Sequence, residues 1–188
     1  MGGGTPLAAI LPTAVIAALV LIGAPGTGKS SVLEALMSEL ERAGVAYGAI
    51  ESEQLAMGWP LLDADAWATQ LEAVLALQRE QGRRLFLVVA TTENARELRS
   101  VQHATRAERS LIVCLSAPPD TVARRLEARE PDRWPGKLEL IAHARSLARS
   151  MPQLEGVELV IDTERRTAAE AAEEIRDAMR AAGLFGQG

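Results

Sequence analysis

Cysteine, aromatic residues and excess positive charge are all scarce in this chain. Cys114 is the only cysteine in 188 residues, so neither an intramolecular disulfide nor a cysteine zinc cluster can form. It sits in the apolar run from Leu111 to Leu115, where a small buried hydrophobe is the expected role. Aromatics make up 3% of the chain, too few for the base-stacking platforms of single-strand binders. Twenty Lys plus Arg against twenty-five Asp plus Glu leave a net charge of -5, which provides no broad field for phosphate backbones. No nucleic acid is therefore expected as a partner.

A membrane-spanning run is missing as well. The stretch from Leu7 to Ile22 is almost wholly apolar, but Pro12 interrupts it and it falls short of the roughly 20 residues a spanning helix needs. It is not a secretory signal either, because the first basic residue, Lys29, lies beyond it. No membrane partner is expected, and cytoplasmic residence follows. Residues 1–13 read as a flexible leader and 14–188 as one domain, for which a hydrophobic share of 48% supplies a sizeable core.

Lysine is rare in a telling way. Of the twenty basic residues only Lys29 and Lys137 are Lys, the rest being Arg, so a position that keeps Lys against this bias invites a chemical reason.

Apolar runs of strand length alternate with longer amphipathic stretches, the pattern of a parallel sheet flanked by helices. Five strands are predicted: Val15 to Ile22, Val45 to Ile50, Leu85 to Ala90, Leu111 to Leu115 and Val157 to Ile161. Each is a nearly continuous apolar run, as burial on both faces requires. Helices are predicted over Lys29 to Ala43, Ala64 to Gln81, Ala95 to His103, Asp120 to Arg129, Lys137 to Ser150 and Ala168 to Ala182. Asp63 is the expected N-cap of the second, and Thr167 with Glu170 forms a capping box for the last.

Gly23-Ala24-Pro25-Gly26-Thr27-Gly28-Lys29-Ser30 matches G-x-x-x-x-G-K-[ST], directly after the first strand and at the start of a helix. Its glycines let successive N–H groups aim at phosphate oxygens, and the helix N-terminus adds its positive end. Lys29 is expected to reach the β- and γ-phosphates as a compact point charge, which accounts for a Lys here. Ser30 offers its hydroxyl to Mg²⁺, and Ser31 completes the nucleotide-binding segment. ATP and Mg²⁺ are the cofactors this implies.

The phosphate loop, the strand spacing and an Arg-rich helix after the fourth strand resemble the small P-loop kinases of the nucleoside monophosphate kinase type. The resemblance spans about Val15 to Ala182, and adenylylsulfate kinases and the chloramphenicol phosphotransferase are nearest in layout. It implies a three-layer α/β P-loop domain with a five-stranded parallel sheet, order resembling 2-3-1-4-5, and a helical lid over about 118–150. It further implies an acidic residue at the end of the second strand, where Glu51-Ser52-Glu53 stands. Glu51 is the first choice to activate an acceptor hydroxyl and Glu53 the second, because residues two apart on an extended segment point the same way. The family often carries Asp there, so the longer Glu is a departure.

Arg125 and Arg129, four apart on one helix face, match the lid pattern and are expected to meet the nucleotide or the transferring phosphoryl group. Met57, Trp59 and Trp67 are expected to wall the acceptor pocket. The third strand ends in Thr91-Thr92-Glu93 without the usual acid, which weighs against a motor-type ATPase. The expected activity is ATP-dependent phosphoryl transfer to a hydroxyl of a small molecule, by a monomer or homodimer. The alternative is a nucleotide-binding regulatory protein, or a degenerate kinase with little transfer activity.

Overall fold

The computed structural model of the chain describes residues 15–186. The leader expected over residues 1–13 lies outside them. Five strands, β1 (Ala17–Gly23), β2 (Tyr47–Glu51), β3 (Leu85–Ala90), β4 (Arg109–Ser116) and β5 (Leu159–Asp162), pair in parallel in the order β2-β3-β1-β4-β5. Six α-helices connect or follow them: α1 (Lys29–Arg42), α2 (Ala64–Glu80), α3 (Ala95–Ala104), α4 (Pro119–Arg129), α5 (Lys137–Ser150) and α6 (Ala168–Ala181). The alternation of strands and helices is the one the sequence predicts, and the strand order is the one the family resemblance implies.

Side-chain alternation along β1 divides the interior into two cores. Leu19 and Leu21 face α1 and α6 on one side, while Ala18, Val20 and Ile22 face α2, α3, α4 and α5 on the other. Both faces are apolar, which is why the strands read as unbroken hydrophobic runs. Cys114 is fully buried in the second core, and desolvation pushes its thiol up to about 12, so it serves as packing.

Where predicted ends and observed ends differ, local turns account for it. The predicted second strand begins at Val45, but that residue's N–H donates to Leu40 O and closes α1 together with left-handed Gly44. Similarly, Val157 N–H donates to Leu154 O in a turn, and β5 starts only at Leu159. Conversely β4 gains polar Arg109 and Ser110, because pairing with β1 runs from Ala17 opposite Arg109 to Gly23 opposite Leu115. Asp63, Asn94 and the Thr167–Glu170 capping box close the N-termini of α2, α3 and α6.

The register aligns the strands' C-terminal ends on one edge, the place where open parallel sheets bind ligands. The loop after β1, the Glu51–Glu53 segment, Thr91 and Thr92, Pro118 and Thr163 all emerge there. Among the described residues, no helix is long and apolar enough to cross a membrane.

Candidate active site

The loop from Gly23 to Gly28 wraps the N-terminus of α1 with Gly26 and Gly28 at φ of 86° and 91°, left-handed values that favour glycine. A Cβ on Gly26 would also lie 2.9 Å from Val122 O, so α4 packs directly on the loop. Unlike α2, α3 and α6, helix α1 has no side-chain cap and no acid in its first turn. Its first N–H groups are left for an anion.

Lys29 is 9% exposed, and its ammonium donates to Gly23 O at 2.8 Å and to Thr91 Oγ1 at 3.0 Å. Burial pulls its pKa down from 10.5; Glu53 opposes this and Arg129 adds to it. Thr91 in turn donates to the Glu53 carboxylate, whose Oε1 lies 3.9 Å from Lys29 Nζ. The hydroxyl of Thr91 thus joins the phosphate-loop lysine to the acid after β2. Sequence reading saw in Thr91 only the lack of a carboxylate. Its signal was a hydroxyl residue at a strand's C-terminal end beside the phosphate loop.

Glu51 and Glu53 do not share an extended segment, contrary to the sequence expectation. The chain turns into a 3-10 helix over Ser52–Ala56 straight after β2, because buried Ser52 donates to Val89 O and anchors the turn. Both carboxylates still border one cavity of about 370 Å³, along with Pro25, Lys29, Ser30 and Arg129. Glu51 also accepts from the Gln54 side chain at 3.2 Å.

The two arginines of α4, Arg125 and Arg129, border different cavities. Arg125 donates to Gly26 O at 3.2 Å and to Thr163 O at 2.8 Å, and it borders a cavity of about 320 Å³ with Thr27, Thr163, Arg166 and Thr167. Thr163 donates in turn to Thr27 O at 2.9 Å, so the loop after β5 and helix α4 together brace the phosphate loop. Arg129, one turn further on, borders the cavity with Lys29 and the acids, where its guanidinium pairs with Glu130 at 2.7 Å. Lys137, the chain's other lysine, holds the turn between α4 and α5 by donating to Glu127 O and Glu130 O at 2.8 Å each.

A third cavity of about 460 Å³ opens beyond Glu53, bordered by Trp67, Leu62, Asp63, Thr92 and Glu93. Trp67 is pinned by its Nε1 donating to Ser52 O at 2.9 Å. Met57 and Trp59 do not border it, contrary to expectation; they are 82% and 90% exposed, in a segment from Met57 to Asp65 that is exposed throughout. His143 Nε2 lies 3.1 Å from the Glu93 carboxylate, tying α5 to the end of β3.

Shared lining residues link the three cavities in series. Gly28 and Ser31 belong to both the 320 Å³ and the 370 Å³ cavities, and Glu53 belongs to both the 370 Å³ and the 460 Å³ cavities.

Residues 19–152, more than half of the chain, match the AAA domain family AAA_33. The chain belongs to this family. No curated protein sequence matches this AAA domain protein. Its fold is that of the small P-loop kinases. A sugar kinase from Janibacter sp. HTCC2649 superposes with a TM-score of 0.63 at 16% identity, covering 92% of this chain and 99% of that one. The APS kinase CysC of Mycobacterium tuberculosis, in complex with AMPPNP and APS, gives 0.58 at 17% identity, covering 88% and 98%. Shikimate kinase from Acinetobacter baumannii, in complex with shikimate, gives 0.55 at 15% identity, covering 90% and 96%.

Proposed function

We propose that this AAA domain protein transfers the γ-phosphoryl group of ATP to a hydroxyl of a small molecule. The observation that carries this reading is the position of Glu53, among the described residues the one side chain bordering both the cavity of the phosphate loop and the cavity of Trp67. A carboxylate at that junction can take the proton of a hydroxyl presented from the second cavity to a phosphoryl group held in the first. Glu51 borders only the first, so Glu53 is the better placed base.

The residues fit a nucleotide with its metal. The uncapped α1 N-terminus and left-handed Gly26 and Gly28 suit phosphate oxygens, and the cavity joined through Gly28 and Ser31 has room for a base beside Arg125. Ser30, exposed at the start of α1, is the residue that would hold Mg²⁺, which when bound neutralises charge across the phosphates. Lys29 stands ready with its ammonium folded onto Gly23 O and Thr91, and it turns to the γ-phosphoryl oxygens when these enter. Arg129 leaves Glu130 to meet charge developing on the transferring group. The cytoplasm is the compartment that suits these cofactors and a single unpaired cysteine.

MgATP-dependent ADP formation, measured over pooled nucleosides, sugars, amino sugars and hydroxylated natural products with Lys29→Ala as the blank, tests the reading. A pool that raises ADP release in the unaltered chain alone supports transfer, and Glu53→Gln should then lose at least a hundredfold more turnover than Glu51→Gln. Nucleotide binding with silence from every pool would point to the regulatory alternative instead.

A further inference from the structure

The charge around the 460 Å³ cavity is one-sided. Glu53, Asp63, Glu93 and Glu97 border it, and no lysine or arginine does. Among the described residues, neither Asp63 nor Glu97 has a cationic partner, and Glu93 has only His143. Their hydrogen bonds hold the carboxylates in place without cancelling their charge. Asp63 accepts from Ala66 N–H at 2.8 Å, and Glu97 accepts from Glu93 N–H at 2.7 Å. Lys29, whose Nζ lies 3.9 Å from Glu53 Oε1, offsets only that acid, and Arg96 stands in an adjoining cavity that shares Asp63 and Glu97.

A second feature marks the cavity as a binding site. Thr92, which borders it, is 1% exposed, yet its hydroxyl has no hydrogen-bond partner. No protein group pairs with this hydroxyl, so a polar atom entering from the cavity, water or ligand, is its available partner. The walls therefore offer an apolar indole at Trp67, an unused hydroxyl and a net negative charge that repels a sulfate, carboxylate or phosphate group.

We propose that this cavity takes a small hydroxylated amine, an amino sugar or amino alcohol protonated at neutral pH, as the phosphoryl acceptor; this rests on the phosphotransferase reading above. The ammonium lies against Asp63 and Glu97 beside the Trp67 ring, where carboxylates and an aromatic both favour a cation. One hydroxyl pairs with Thr92 and another faces Glu53. The acceptor oxygen forms a bond to the γ-phosphorus, the bond from that phosphorus to the bridging oxygen breaks to leave ADP, and the hydroxyl proton passes to Glu53. The ammonium is unchanged by the reaction.

Calorimetric titration of the full chain with MgAMPPNP present tests the assignment, using D-glucosamine, 2-deoxystreptamine and ethanolamine as amine probes, D-glucose as the neutral match and D-glucuronate as the anionic one. D-glucosamine should bind at least tenfold more tightly than D-glucose, and D-glucuronate should not bind. The pair Asp63→Asn with Glu97→Gln keeps the acceptors for Ala66 N–H and Glu93 N–H and gives up the one that Glu97 offers to the Asn94 amide, and it should bring D-glucosamine and D-glucose within threefold of each other. Equal affinity for sugar and amino sugar, binding of D-glucuronate, silence from all three amines or an unaltered preference in the double variant overturns the proposal. Nucleotide affinity, read separately, keeps the two claims apart. MgAMPPNP binding with no amine preference sinks only the acceptor class, whereas absent nucleotide binding removes the reading beneath it.

Discussion

Arg125→Met probes how the nucleotide cradle is held together. The Arg125 guanidinium donates to Gly26 O, to Thr163 O and to Thr163 Oγ1, so one side chain joins the phosphate loop, helix α4 and the loop after β5. A hydrogen bond from a charged donor contributes about 1.5–3 kcal/mol, but three from one half-buried group do not add, and water can reach the freed carbonyls; the net loss expected is about 2 kcal/mol. In a domain of this size each kcal/mol moves Tm by about 2–4 °C, so Arg125→Met should melt about 4–8 °C lower. The released loop must then be ordered by the nucleotide itself, which should weaken ATP binding about tenfold, or 1.4 kcal/mol. Its neighbour Arg124 provides the control, being exposed and bonded, among the described residues, only to Thr121 Oγ1. Arg124→Met should stay within about 0.5 kcal/mol of the unaltered chain. Thermal melting with and without MgATP, together with titration of a fluorescent ATP analogue, reads both quantities. An Arg125→Met chain that melts and binds like the original, or an Arg124→Met chain that falls equally far, would refute the bracing role.

Two further predictions concern the lysines. Burial holds Lys29 below 10.5 in the folded chain, so between the folded value and 10.5 the unfolded chain binds more protons. Stability without nucleotide therefore rises with pH across that window and is lost as pH falls through the folded value. Melting from about pH 7 to about pH 10.5 should show the unaltered chain gaining on Lys29→Met as pH rises, and a flat difference would contradict the desolvation argument. Lys137 donates to Glu127 O, Glu130 O and Asp132 Oδ1, all at 2.8 Å, so Lys137→Met should lower Tm by about 2–6 °C and speed amide exchange over residues 127–137 at least tenfold. Arginine should restore only part of this, because a planar fork does not match three diverging acceptors, and full rescue in an exchange experiment would count against the point-charge role.

Much of the architecture could be read from the residues alone. Buried parallel strands must be apolar on both faces, so β3 and α5 appear in the sequence with the bounds they have in the structure. Local chemistry likewise identified the phosphate loop, the Asp63 cap and the Thr167–Glu170 capping box, since each depends on neighbours within a few positions. Strand ends were less legible at Val45 and Val157, where an apolar residue is used by a turn.

What the sequence could not decide is which distant side chains meet. Nothing in the spacing of Lys29, Glu53 and Thr91 says that one hydroxyl joins the other two, nor that Arg125 and Arg129 part into different cavities. The 3-10 turn that moves Glu53 out of line with Glu51 depends on Ser52 reaching Val89 O, 37 residues away. Composition and local pattern determined the layers and the phosphate loop, because periodic burial and helix caps act over a few residues. The meeting of acid, hydroxyl and lysine at one sheet edge was decided only when parallel pairing brought the strand ends together.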